Sequence, residues 1–470
     1  MISVSARLRA PSTVLSLLPV VVILACSGGS DEDGPLGPGG EVASITVTLE
    51  TPTAMVGTRV LATAIARDAS GKTVESSFSW SSSDTDVATI AANGDITAVT
   101  AGSTTITAVA SGVSGTATLA VDPKSLNAMI EAIRASAGLP AMAGAIVTSK
   151  GLVGIGVAGT RQTGGAGGTV TLNDKWHVGS NLKAITGALA AIAVTEGKIS
   201  WNTTVEDMFP EHSATMHNQY RAVKLEDLLA NRAGIRNDPP GSAYNGATPR
   251  QQRENVAKWA LEAAPIGPVG GFFYSNPSFI IAGAMVERAL GGDYETLLAT
   301  KLGQPLGVTS LGFGVVPSGN PVAHYRSGSS WIPCSASNCD NPPGLSAAGR
   351  AHMSIGDWSR IVSEMIRADA GKSTLISSQN GRKLFTGLTE LPPSSDMYSL
   401  GWFMTTRPWA GGRTATHTGS NNLNHSVAWL GMGPEVGFLA VTNAADLSVS
   451  GTITTQALDN LILAMIDSYF

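Results

Sequence analysis

From about Val42 to Val121, apolar and polar residues alternate in short runs: SITVTLE, RVLATAIA and TTITAVA. A period of two puts every second side chain on one face of an extended strand, and turn residues such as Asn93-Gly94-Asp95 separate the runs. The pattern predicts a small antiparallel sandwich. At Asp122-Pro123 the periodicity changes. Leu126, Met129, Ile130 and Ile133 follow helical spacing between Ser125 and Leu139, and Met142 to Ala158 predicts two strands around Lys150-Gly151. The run from Ser180 to about Glu196 is apolar on every face and is closed by Gly197, which predicts a buried helix. Helical and strand signals then interleave, and an apolar helix from about Thr454 ends the chain. These elements predict an α/β unit whose sheet joins both ends of the segment. A mostly helical lobe is expected beside it, because about 350 residues are too many for one ordinary core.

The amino end has a different texture. Arg7 and Arg9 precede a run from Val14 to Ala25 that is nearly all apolar and too short to span a bilayer comfortably. Residues 1–25 therefore predict a signal peptide. The run ends in Ile23-Leu24-Ala25-Cys26, which resembles a lipobox, although Leu24 is bulkier than the residue usual at its position. The resemblance implies cleavage before Cys26 and lipid on its sulfur, hence an exported chain anchored in the cell envelope. Residues 26–41, rich in Gly, Pro and acid, form a solvated tether. Of the three cysteines, Cys334 and Cys339 then remain as a pair, which a small disulfide could close in an oxidising compartment. Two cysteines alone do not fill a tetrahedral zinc shell, so no metal is expected. The 30 basic residues form no long run and the net charge is −5, which gives no sign of a nucleic-acid partner.

Candidate chemistry starts at Ser180-Asn-Leu-Lys183. A serine at a helix start lies where free N–H groups favour developing negative charge, and a lysine one turn on shares its face. A lysine entering a buried helix has its ammonium form disfavoured, which suits it to proton transfer. Alone, the pattern equally fits a serine that only caps the helix and a lysine pointing to solvent. Of the eleven lysines, however, only Lys183 follows a serine by three residues. Tyr274-Ser-Asn276 is the only Tyr-x-Asn among seven tyrosines, and His417-Thr418-Gly419 the only His/Lys-Thr-Gly. There is no G-x-S-x-G, H-E-x-x-H, C-x-x-C or phosphate-cradling glycine loop, so neither a cofactor nor a metal is predicted.

Two resemblances follow. Residues 42–122 resemble a bacterial immunoglobulin-like domain of group 2, through Trp80-Ser-Ser-Ser-Asp84, Val87-Ala-Thr-Ile90 and Gly94 to Ile106. Such domains serve as spacers or adhesion modules, which implies a possible cell-wall or surface contact. Residues 125–470 resemble the serine β-lactamase and DD-peptidase superfamily in its class C-like branch, which also contains carboxylesterases. The three ordered motifs carry this likeness, with Leu228 to Ile235, Gly344 to Gly349 and Glu196 to Pro210 in agreement. The implied fold is an antiparallel sheet flanked by helices, plus a helical lobe. The implied reaction is acyl transfer. Ser180 would attack a carbonyl, and Lys183 and Tyr274 would share the proton work. Asn276 would bind the substrate amide and steady Lys183. His417 would polarise Tyr274 or a substrate carboxylate, and Thr418 would add a hydroxyl donor. The backbone N–H groups of Ser180 and of Ser420, after Gly419, would form the oxyanion hole. Apart from the resemblance, Arg413 would share the strand face of His417 if the run stays extended and could receive a substrate carboxylate, the plainer reading being an arginine that faces solvent.

Two departures bear on substrate. His417 stands where class C β-lactamases usually carry lysine, which points toward DD-carboxypeptidases, and Asn231-Arg232-Ala233-Gly234 stands where His-x-Ser-Gly is expected. The substrate is thus a small molecule or a peptidoglycan peptide. A carboxylesterase acting on small esters is one alternative, and an inactive surface-binding module another.

Overall fold

The computed structural model describes residues 40–335, 339–446 and 452–470. The expected signal peptide and Cys26 lie outside the described residues.

The alternating amino-terminal runs form two facing sheets. Ser44–Leu49, Arg59–Arg67, Asp95–Ala98 and Ala88–Ile90 pair in that order in one, with Thr73–Val74 on Arg59–Arg67. Thr53–Met55, Val113–Asp122, Gly102–Ala110 and Ser79–Ser82 make the other. Their inner side chains, among them Val60, Ala62, Ile96, Ile106, Leu119 and Val121, are buried. This is the immunoglobulin-like sandwich.

Strand Val113–Asp122 runs on through Pro123 into Lys124–Ser125, which pairs in parallel with Gly154 and Ile155 at the edge of a second, nine-stranded sheet. From that edge the order is Gly151–Gly159, Ala141–Thr148, Val436–Thr442, His425–Gly431, Gly412–Ser420, Phe403–Arg407 and two short strands. The pairs after the first are antiparallel, and strands from both ends of the segment meet at the Ala141–Thr148 and Val436–Thr442 pair. Both faces are covered. Met142, Ile146, Phe438 and Ala440 pack with Ile130, Leu458, Leu461 and Met465 of helices Asn127–Ala137 and Ile453–Tyr469. The alternate residues Ala143, Ala145, Val147, Leu439 and Val441 belong to the core that holds helix Ile355–Asp369 on the other side. A sheet buried on both faces explains why these strands read as nearly continuous apolar runs.

The helical lobe sits over that second face. Its centre is helix Leu182–Thr195, buried from Leu182 to Ala193, against helix Asn276–Leu290, buried from Pro277 to Glu287. Among the described residues no helix is long and apolar enough to cross a membrane.

Candidate active site

Strand Lys175–His177 delivers the chain into a tight turn, Gly179–Asn181, from which helix Leu182–Thr195 starts. Ser180 therefore occupies the turn just before the helix rather than its first turn, and it is half-buried. Two side chains pin this turn to the sheet. Asn181 donates to Ser426 Oγ at 2.8 Å, and Ser426 donates to the Val178 carbonyl at 2.7 Å.

Lys183 is fully buried in the first helical turn. Its Nζ meets three oxygens: Ser180 Oγ at 3.1 Å, Asn276 Oδ1 at 2.7 Å and the Ala348 carbonyl at 2.8 Å. None of these carries a negative charge, so burial disfavours the ammonium unopposed and lowers its pKa to about 7. At neutral pH much of the amine is then uncharged. A neutral amine has two N–H bonds and one lone pair. With the N–H bonds on Asn276 and Ala348, the lone pair faces the Ser180 hydroxyl.

Tyr274 comes from the loop ahead of helix Asn276–Leu290. Its ring centroid is 4.9 Å from Lys183 Nζ and its hydroxyl bonds the Ser180 side chain, while burial pushes the phenol up to about 12. Asn231 shapes this loop. It adopts φ 51°, its carbonyl accepts Phe273 N–H at 2.8 Å, and its Oδ1 accepts Ser275 N–H at 3.0 Å. Ser275 Oγ caps the helix by accepting Ser278 N–H at 3.2 Å, and Asn276 N–H donates to Asn237 Oδ1 at 2.7 Å.

His417 and Gly419 face inward on strand Gly412–Ser420, whereas Thr418 is exposed. His417 is buried with its ring 6.2 Å from that of Tyr274, but its nitrogens are used elsewhere. Nδ1 donates to the Thr418 carbonyl at 2.5 Å, and Nε2 accepts from the Tyr398 hydroxyl at 3.3 Å. Burial, with the Lys183 charge nearby, lowers its pKa to about 3, so it is neutral. Arg413 does not reach the site, because it bonds Asp369 at 2.6 Å on an exposed stretch.

The strand's last residues lie against the turn that carries Ser180. A methyl group on Gly179 (φ 52°) would come within 2.3 Å of Ser420 N, and one on Gly419 within 2.8 Å of Ser180 N and 2.1 Å of the Val178 carbonyl. Only glycine permits this approach. It sets the backbone segments that carry the Ser180 and Ser420 amides side by side. The Ser420 side chain turns away, donating to the Asn424 carbonyl at 2.8 Å and accepting Asn422 N–H at 2.9 Å.

The fold thus gathers Ser180, Lys183, Tyr274, Asn276, His417, Gly419 and Ser420, with Thr418 on the same strand. Sequence reasoning did not single out Asn181, Ser426, Tyr398 or the Ala348 carbonyl. Asn181 lies inside the Ser-x-x-Lys motif, where only its polarity within an apolar helix start could have flagged it. A backbone carbonyl leaves no mark in sequence. Away from the site, Cys334 and Cys339 form a disulfide with Cα atoms 5.9 Å apart.

A family model described as Beta-lactamase matches residues 126–460, and the chain belongs to that family. A second, the Bacterial Ig-like domain (group 2), matches residues 41–121. Among curated proteins, the unguisins hydrolase of Aspergillus campestris is 25% identical over 318 residues, covering 63% of this chain and 57% of the relative. The protein flp of Staphylococcus aureus is 24% identical over 141 residues, 30% of this chain and 28% of the relative. The chain spans about half the length, or less, of the curated relatives it matches. The octameric penicillin-binding protein homologue from Pyrococcus abyssi superposes with TM-score 0.59 at 20% identity, covering 73% and 76% of the two chains. A D-stereospecific amidohydrolase from Streptomyces gives 0.56 at 19%, covering 72% and 97%, and a class C β-lactamase from Rhodobacter sphaeroides 0.58 at 16%, covering 72% and 98%. These likenesses show the fold.

Proposed function

We propose that the chain is a serine hydrolase that opens amide or ester acyl bonds through an acyl-enzyme on Ser180. The observation that carries this is the surroundings of Lys183, a buried amine within 3.1 Å of Ser180 Oγ whose pKa burial lowers to about 7. In the free-amine form Lys183 takes the Ser180 proton as Oγ attacks the carbonyl carbon. The tetrahedral oxygen forms between the Ser180 and Ser420 amides, which bear its charge. Tyr274, whose phenol stays protonated, gives its proton to the departing nitrogen or oxygen, and the proton on Lys183 restores it. Water then releases the acyl group by the reverse course. Asn276 and Thr418 bind the acyl side of the substrate. His417 stays neutral and holds Tyr398.

Among possible substrates, amide-type acyl donors fit best. Similar proteins are named as an unguisins hydrolase, a D-stereospecific amidohydrolase and a class C β-lactamase. DD-carboxypeptidase action on peptidoglycan peptides belongs to the same chemistry. A carboxylesterase is the second reading, favoured by one observation: the neutral, enclosed His417 provides no fixed cation for a substrate carboxylate. The lipobox-like Cys26 and the disulfide support an exported, lipid-anchored chain, with the immunoglobulin-like domain as its spacer. Cys26→Ser would then shift the protein from the membrane fraction to the soluble one.

The test is the intact mass of a soluble chain starting near residue 41, mixed with a penicillin or with a fluorophosphonate. Wild type should gain one adduct that Ser180→Ala lacks. A penicillin adduct favours the DD-peptidase or β-lactamase side, and a fluorophosphonate adduct alone favours the esterase. No adduct with either probe removes the enzyme and leaves the surface-binding module.

A further inference from the structure

Behind the meeting point of the two amides lies a buried ionisable cluster that the proposed chemistry does not use. His177 and Asp340 have side chains 1% and 3% exposed, and His177 Nε2 is 2.9 Å from Asp340 Oδ1. The other ring nitrogen, Nδ1, accepts the Gly179 N–H at 3.1 Å. An imidazole can accept there only if its proton sits on Nε2, which is in ion-pair contact with the carboxylate but outside hydrogen-bond geometry. The same Oδ1 accepts from Asn421 Nδ2 at 3.2 Å, and Asn421 directly follows Ser420. Asn421 Oδ1 in turn accepts the backbone N–H groups of Leu423 and Asn424, at 3.3 and 2.9 Å, fixing the turn after the strand.

One carboxylate oxygen is therefore linked, through one side chain on each side, to the two segments that carry these amides. Through His177 it reaches Gly179, whose peptide carries the Ser180 N–H, and through Asn421 it reaches the residue after Ser420. Packing alone does not fix this region. A cavity of about 260 Å³ adjoins His177, Asn421, Asn424 and the disulfide. Arg350 Nε lies 3.7 Å from Asp340 Oδ2, and that oxygen has no hydrogen bond among the described residues. Asp340 neighbours Cys339, so the disulfide anchors the backbone that carries it.

We propose that Asp340, acting through His177 and Asn421, is a positioning residue that sets the spacing and aim of the Ser180 and Ser420 amides. It touches no reacting atom. Its effect falls on the step in which negative charge develops on the substrate oxygen, and binding of the uncharged substrate is left alone. The inference rests on the acyl-enzyme reading above.

The experiment measures the p-nitrophenolate burst from p-nitrophenyl acetate, per active site titrated with a fluorophosphonate, for wild type, Asp340→Asn, His177→Asn and His177→Gln. Asparagine at 177 can keep an acceptor for Gly179 but loses the link to Asp340. Glutamine can keep that link but loses the acceptor. All three variants should show burst rate constants about tenfold lower, with the substrate concentration that half-saturates the burst rate within about twofold, a loss smaller than the hundredfold or more of removing a hole donor outright. Affinity for a boronic acid that forms a tetrahedral adduct should fall in parallel. Titrated sites that acylate at the wild-type rate in Asp340→Asn and His177→Asn would overturn the proposal, whatever the change in thermal stability. So would a rise in the substrate concentration that half-saturates the burst rate equal to the whole loss. A wild type with neither burst nor labelling would overturn the acyl-enzyme reading, and this inference with it.

Discussion

At the scale of single residues, the site is organised by where protons can reside. Lys183 is the group whose state changes near neutrality, because burial brings its pKa to about 7 while Tyr274 is pushed to about 12 and His417 down to about 3. If Lys183 is the base, it works when deprotonated. A pH profile of kcat/KM should then rise through about pH 7 to a plateau, with no acid limb from His417, and Lys183→Arg should abolish acylation. The same shift has a stability counterpart. Between about pH 7 and 10.5 the unfolded chain binds a proton at Lys183 that the folded chain does not, so stability rises with pH across that window and is flat below it. Chemical denaturation of wild type against Lys183→Met should show this slope in wild type only. If Tyr274 serves the leaving group, as proposed, Tyr274→Phe should slow p-nitroanilide cleavage by about a hundredfold and p-nitrophenyl ester cleavage much less, because p-nitrophenolate departs without a proton. Equal losses on both substrates would assign Tyr274 another task. The three motifs were legible in the sequence because each pairs rare residue types at fixed spacing. The partners of His417 were not, since Tyr398 arrives from a distant strand with nothing in its local sequence to mark it.

At the scale of elements, close backbone approach decides which residues are tolerated. Helix Leu182–Thr195 contains Gly187, where alanine would raise helix propensity by about 1 kcal/mol. A methyl group there would lie 2.2 Å from the Leu400 carbonyl, so the helix is pressed against the Leu400–Gly401 backbone, and Gly401 fits against Lys183 only at φ 95°. Gly187→Ala should therefore destabilise the protein despite the better propensity, measured as a lower urea midpoint. Asn231→Ala should cost about 1–3 kcal/mol, since it places alanine in the left-handed region and strands the buried Ser275 N–H. The elements themselves were largely readable. Two strands around Lys150-Gly151, the helix after Ser180 and the carboxy-terminal helix appear at Ala141–Thr148 and Gly151–Gly159, Leu182–Thr195 and Ile453–Tyr469. Long uniform periodicity made them so. Ser180 lies outside the helix because its turn follows contacts to Ser426 and Ser420 that no local pattern encodes. Arg413 is half-exposed, in keeping with the solvent-facing reading of its sequence, and its partner Asp369, which ends helix Ile355–Asp369, has no mark in the local pattern.

At the scale of the whole molecule, the sandwich and the nine-stranded sheet share a seam. Lys124–Ser125 extends the sheet beyond Gly151–Gly159, the Ala101 N–H donates to the Leu152 carbonyl at 2.8 Å, and the buried Thr100 hydroxyl reaches the Lys150 carbonyl at 3.4 Å. Leu126, Val153 and Ala158 of the β-lactamase-family domain belong to one apolar cluster with Val56, Val87 and Val121 of the sandwich. Two ion pairs from Asp86 to Lys150 and Arg367, at 3.9 and 4.0 Å on an exposed surface, add little. The sandwich thus covers what would otherwise be an exposed sheet edge, four strands away from the strand that carries His417. An uncovered edge offers unpaired N–H and C=O groups to other chains. A chain of residues 126–470, which lacks the sandwich and the Lys124–Ser125 strand, should therefore unfold at a lower temperature and form larger species on size-exclusion chromatography. The monomer that remains should keep wild-type acylation per fluorophosphonate-titrated site, because no group of the site crosses the seam. Unchanged stability and a monomeric profile would show the sandwich to be a passive spacer. A loss of acylation in the monomer would mean that the seam also shapes the distant cleft.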